Sequence, residues 1–437
     1  MTAAQGVSIV RGFAEVEMVN DLKRLIVSVL FVCFLVTGAR AQAHWVGSWG
    51  SSQQLVEPQN SIPADDVHDL TLRQVAHVSL GGRRIRLMLS NRYGTSPLHV
   101  DAVDLAIASS PASDRIVPGS DKAMTFSGSQ EVTIPAGADY VSDALAISVP
   151  AFSDLAITMH FQEVPAAQTG HPGSRATSYL AHGVAVSAPE LTGAKKIDHW
   201  YFLGGVEVET TTPSSAVVAL GDSITDGHGA TTNGNDRRPD VLARRFEQSA
   251  TTRHLAVLNH GIGGNRLLLD GTGPNALARF NHDVISQTGA RYLIVLEGIN
   301  DLGTFARTEE KTEAEHNALV AQLQAAYEQM ITRAHAHGFR VFGATILPFS
   351  NADYYHPGPR TEKDREQVNE WIRTEGHFDA VIDLDKVTRD PQNPERLLPQ
   401  YDSGDHLHPS PAGYAAMANA IPLGLFSRPR AQPKTAP

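Results

Sequence analysis

The chain has 437 residues, with 36 Lys and Arg against 47 Asp and Glu, and a formal charge of −11. That length exceeds what one core usually holds, so two domains are expected. A hydrophobic share of 42% and a charged share of 19% suit a globular protein. The acidic balance, with no long Lys/Arg run, excludes nucleic acid as an expected partner, because a phosphate backbone needs a basic face.

Near the start, Lys23 and Arg24 precede the apolar run 25–36, and small residues follow at 38–43. This is the pattern of a secretory signal peptide over 1–43, cut after Ala41 or Ala43, with translation expected to begin at Met18. An uncleaved anchor is the alternative, but the run is short for a bilayer. Cys33, the only cysteine, lies inside the run. Removing the signal would leave no thiol for disulfides, metal sites or nucleophilic catalysis. The expected location is secreted or periplasmic, with no stable membrane anchor.

Residues 44–208 alternate. Ile85, Leu87 and Leu89 interleave with Arg84, Arg86 and Met88, and similar runs occur at 145–149 and 155–161. Turn chemistry separates them at Gly81-Gly82, Tyr93-Gly94 and Pro118-Gly119. The pattern predicts an antiparallel β-sandwich or jelly roll. Residues 209–215 read as a linker.

Beyond it the rhythm changes to short, continuous apolar runs at 217–220, 257–258, 292–296, 341–346 and 381–384, each suited to a strand buried on both faces. Leu319, Val320, Leu323, Tyr327, Met330 and Ile331 mark one face of a helix that Gly338 would end. Residues 216–426 are therefore expected to form an α/β domain, a flavodoxin-like, doubly wound, parallel five-stranded sheet. The Pro-rich tail 427–437 reads as disordered.

Four polar segments, three of them Gly-bearing, fall at strand ends or near the C-terminus: Gly221-Asp222-Ser223, Asn259 to Asn265, Glu297 to Asp301, and Asp405 to Pro409. In a parallel sheet, ligands gather at the carboxyl ends of the strands. Alone, Gly-Asp-Ser could equally cap the next helix. In this order, the segments resemble blocks I, II, III and V of the SGNH (GDSL) hydrolase family across residues 216–424. The resemblance implies Ser223 as nucleophile, His408 as general base and Asp405 as its orienting acid. It also implies an oxyanion hole from the Ser223 and Gly264 N–H groups and the Asn300 amide, with Gly263 an alternative to Gly264. Such chemistry needs a base to activate a weak hydroxyl, an acid to fix the imidazole tautomer, and donors aimed at the oxyanion. The Gly-x-Ser-x-Gly elbow fits poorly, since Thr225 stands in place of its second glycine.

No cofactor or metal is expected. His406, His408 and Asp405 could be imagined as ligands, but no HExxH or cysteine pair accompanies them. Asp222 and Asp226 are expected to brace the turn rather than act on substrate. Trp45-Val46-Gly47-Ser48-Trp49, with the later GINDLG and GIGGNRLL strings, resembles a secreted esterase subset with an N-terminal β-domain. That likeness implies short-acyl or O-acetyl esters of carbohydrates or small molecules as substrates. A longer-chain lipase or phospholipase, or a glycan-binding protein with an inactive hydrolase half, are the alternatives. Trp45, Trp49 and Trp200 could stack on sugars or fill the core. Phe349, Tyr354 and Tyr355, in the loop 348–359, are expected to wall the substrate site.

Overall fold

The computed structural model describes residues 44–305, 307 and 309–427. The expected signal peptide and the tail beyond 427 lie outside them. Among the described residues, no helix is long and apolar enough to cross a membrane.

The strands of the first half pair antiparallel. One sheet runs in the order His44–Gly50, Leu203–Thr210, Gly82–Ser90, Leu145–Val149. A second is centred on His68–His77 and Asp154–Glu163. On Gly82–Ser90 the alternation holds, with Ile85, Leu87 and Leu89 fully buried and Arg84 exposed. Asp154–Glu163 departs from it: Leu155 to Phe161 are all buried, not one face alone. The second face is covered because Arg73, itself fully buried, donates to the Thr158 hydroxyl and to the Ala188 carbonyl. That guanidinium ties overlying loops down onto the strand.

The second half forms a parallel sheet of five strands in the order Leu255–Gly261, Ser215–Gly221, Ala290–Leu296, Arg340–Ala344, Ala380–Ile382. By chain order this is 2-1-3-4-5, whose switch point lies between the first and third strands. The long helix is Glu313–Ala336, opened by a reciprocal cap between Thr312 and Glu315 and followed by Gly338 at φ 76°. It packs with Pro359–Arg373, while Arg238–Glu247 packs with Pro411–Ala420. The last strand is shorter than its apolar run, because Asp383 caps a helix starting at Leu384.

The two halves meet along the edge strand Leu255–Gly261. The Ser79 hydroxyl bonds both the N–H and the C=O of Val257, at 3.0 and 3.2 Å. Gly47 donates to the Thr288 carbonyl at 2.9 Å. An exposed edge would invite pairing with another chain, so this cover protects it. Only 211–214 separate the strand Leu203–Thr210 from Ser215–Gly221. One continuous buried cluster runs from Val46 through Leu220 to Phe426. Trp49 and Trp200, 6% and 3% exposed, meet edge to face within it, with centroids 4.8 Å apart.

A shared core should melt as one unit. Heating is expected to give a single calorimetric transition, and Trp49→Ala should lower it as a whole, at a cost of about 3–5 kcal/mol. Two resolved transitions, only one of them moved, would contradict the shared core.

Candidate active site

The first parallel strand, Ser215–Gly221, delivers Ser223 to the sheet's carboxyl edge. Asp222 caps the one-turn helix Ser223–Asp226 by accepting from the Ile224 N–H at 2.9 Å, and Gly227, at φ 110°, ends it. A Cβ at Gly221 would lie 2.2 Å from the Thr225 hydroxyl and 2.3 Å from the Leu296 carbonyl, so this tight exit needs glycine.

The Ser223 Oγ lies 2.8 Å from His408 Nε2, and His408 Nδ1 lies 2.6 Å from Asp405 Oδ2. The other Asp405 oxygen accepts from the His408 and Leu407 N–H groups at 2.8 and 3.0 Å. Burial works to raise the Asp405 carboxyl, but the His408 ring and those amides outweigh it and hold it below the usual carboxylate range. An ionised Asp405 can only accept, so the proton on His408 sits at Nδ1 and leaves Nε2 free to face the serine.

Asn300 lies in the first turn of the helix Ile299–Phe305, after the third strand. Its Nδ2 donates to the Asn265 carbonyl at 2.7 Å, which fixes the amide's orientation because a carbonyl cannot donate. The Tyr355 hydroxyl donates to Oδ1 on the other side. The second Nδ2 hydrogen is unused by these bonds, and Asn300 lines the cleft. Gly263 and Gly264 line the same cleft, Gly264 at φ 73°. Ser223 and Asn300 thus follow the two strands that flank the switch point, where the sheet leaves a crevice. The cleft, of about 620 Å³, is also lined by Arg266, Thr304, Tyr354 and Leu407.

The expected aromatic wall needs correction. Tyr354 lines the cleft and is 56% exposed, under the Arg307 guanidinium. Phe349 does not line it: only 1% exposed, it packs edge to face behind Tyr355. Tyr355 reaches the cleft but is tied to Asn300. Trp49 and Trp200 are buried, and Trp45 lies under the Arg86 guanidinium at 4.4 Å, so these three do not line up as an open platform.

Three groups were given no role by the sequence. Arg279, 2% exposed, donates to Gly221 O, His260 O, Asn265 Oδ1, Asp283 and the Ser52 hydroxyl at 2.8–3.0 Å. His228 stands beside the triad, its ring centroid 4.0 Å from that of His408. Burial, then the charges of His408 and Arg175, lower its pKa to about 4, so it is neutral near pH 7. Glu297 is 1% exposed, and neither carboxyl oxygen has a hydrogen-bond partner. Burial, with the neighbouring Asp222 charge, raises its pKa well above the ordinary carboxyl value. Asp222 itself is pushed up to about 7, chiefly by burial. Asp226 pairs with His171 at 2.9 Å, a bond across the two halves.

Tyr355→Phe should lower kcat about 3- to 10-fold with little change in KM, the cost of one hydrogen bond that aims Asn300. Rates measured against wild type check this. Glu297→Gln should raise Tm at pH 8. The native state holds a proton that the unfolded carboxyl releases above about pH 4.5, so wild-type stability falls as pH rises through that window. The variant's advantage should shrink towards pH 4 in parallel melts.

Residues 219–416 match the family model for GDSL-like lipases and acylhydrolases. A lipase/acylhydrolase from Enterococcus faecalis superimposes at TM-score 0.36 and 23% identity, over 47% of this chain and 93% of its own. A GDSL-like lipase from Bacteroides thetaiotaomicron gives TM-score 0.35 at 19% identity, over 47% and 85%. An acetyl xylan esterase gives 0.35 at 20%, over 47% and 96%. No curated protein matches the chain. The chain carries a GDSL-like lipase/acylhydrolase domain at residues 219–416 and is an ester hydrolase.

Proposed function

We propose that this is an exported serine esterase that removes short acyl or O-acetyl groups from carbohydrates or small esters, with residues 44–208 forming a β-sandwich against the hydrolase domain. The observation that carries the reading is the continuous chain from Ser223 Oγ through His408 to Asp405, with Asn300 lining the same cleft.

His408 Nε2 takes the hydroxyl proton as Ser223 attacks the ester carbonyl, and Asp405 steadies the imidazolium. The oxyanion is received by the N–H of Ser223, that of Gly264 or Gly263, and the free Nδ2 hydrogen of Asn300. Collapse expels the alcohol, which takes the proton from His408. Water then repeats the sequence on the acyl-enzyme. Its attack regenerates the serine and releases the acid.

One observation favours a second reading, hydrolysis of longer or aryl acyl esters. A hollow of about 460 Å³, lined by Leu268, Leu269, Phe305 and Leu319, shares Arg266 and Thr304 with the cleft. Its apolar walls suit a chain of several carbons.

Ser223→Ala should lower kcat by about 10⁴ or more with the fold intact by circular dichroism. Asn300→Ala should cost less, about 10²–10³. A panel of acetyl, butyryl and palmitoyl p-nitrophenyl esters with acetylated xylan distinguishes the readings, and a palmitoyl optimum would favour the second. Near-full turnover by Ser223→Ala would remove the assignment.

A further inference from the structure

We propose that His228, Asp405 and His408 form a binding site for a zinc-class transition-metal ion, and that occupancy switches the hydrolase off. One ligand atom from each residue lies within 4.8 Å of the other two. His228 Nε2 stands 3.8 Å from Asp405 Oδ2. Ligand atoms around a tetrahedral ion with bonds of about 2.0–2.2 Å stand roughly 3.3 Å apart. That pair closes by about half an ångström and no pair, being within 4.8 Å, by more than about one and a half, and the His228 side chain, 47% exposed, has room to move. His228 has no part in the proton path from Ser223 to Asp405. Its Nδ1 accepts from the Arg175 guanidinium at 3.0 Å; when Nε2 takes a metal the ring proton moves to Nδ1 and Arg175 gives up that bond, so the ring binds as a neutral imidazole. The histidine weighed from sequence as a ligand, His406, turns instead to Asp402 and stands apart from this group.

Either ring nitrogen of His408 gives the same result. An ion on Nε2 occupies the lone pair that Ser223 needs. An ion on Nδ1 displaces that proton, and the base loses its bond to Asp405. Both forms bar general-base catalysis at Ser223. Two imidazoles and one carboxylate favour Zn²⁺, Co²⁺, Ni²⁺ or Cu²⁺ over Ca²⁺ and Mg²⁺, which take all-oxygen sites.

The activity arm rests on the serine-esterase reading, so the binding arm is independent of turnover. Ser223→Ala is titrated with zinc chloride by calorimetry and with cobalt chloride by visible absorption. Expected is one-to-one zinc binding with a tetrahedral cobalt band. Adding His228→Ala should weaken zinc affinity about tenfold or more, whereas adding His406→Ala should leave it within about twofold. In the active enzyme, zinc should inhibit reversibly and a chelator should restore the rate. His228→Ala, compared with its own metal-free rate, should need about tenfold more zinc. Zinc affinity equal with and without His228, or calcium binding as tight as zinc, would overturn the site. Binding without loss of turnover would overturn the switch alone.

Discussion

The cleft at the sheet's carboxyl edge depends on a buried guanidinium. Arg279 holds the carbonyl of Gly221, just before Ser223, and the carbonyl of His260 and side chain of Asn265, which belong to the second strand's exit. Asn265 in turn receives the Asn300 amide. One cation therefore sets the relative positions of three chain segments around the cleft. Such a charge is tolerated in a dry interior only when paired and fully hydrogen-bonded. Asp283 supplies the counter-charge at 2.8 Å, and the Ser52 hydroxyl, from the first half, donates to that carboxylate at 2.7 Å. The charge chain continues outward: His282 bonds Asp283 at 2.7 Å and Asp139 at 3.0 Å. Although burial opposes it, those two carboxylates raise His282 to about 9. Cation and anion alternate across the seam, with His260 kept neutral by burial at a pKa of about 4.

This arrangement makes the β-rich half part of the hydrolase's foundation. Ser52, Asp139 and His171 each place a polar group against the second half, and His171 reaches Asp226 on the helix that carries Ser223. Trp49 and Trp200 add apolar area at the same seam. Of the two alternatives the sequence offered for Trp49 and Trp200, sugar stacking or core, both residues take the second. Charge and packing thus act together on the short helix Ser223–Asp226.

Acids close to one another take different roles through environment. Asp405 is partly open and receives the His408 ring and two amides, so it stays ionised. Asp222, one residue before the serine, is enclosed and raised to about 7, while the neighbouring Glu297 has no hydrogen-bond partner. A raised carboxyl carries less charge near Ser223 than Asp405 carries beside His408. Asn300 gains its orientation from neutral partners alone.

Much was legible in the sequence because its signals are local. Apolar runs at 217–220 and 292–296 mark strands buried on both faces, and Thr312 with Glu315 and Gly338 mark helix ends, each within a few residues. Three of the four polar segments lie at strand exits, so the parallel sheet brings them to one edge, and the fourth, Asp405 to Pro409, joins them from the loop before the last α-helix. What the sequence could not carry was which distant groups meet there. Arg279 sits in an ordinary helical stretch, Tyr355 in a polar loop, and His228 in a Gly-rich turn. Their roles arise only when strands in the order 2-1-3-4-5 place separate segments within hydrogen-bond reach. The same holds for Phe349, whose loop folds it behind Tyr355. Sequence by itself determined the elements and the reactive side chains, because those follow from short-range geometry. Tertiary structure decided the buried pairings, because the cost of desolvating a charge is set by whatever packs around it.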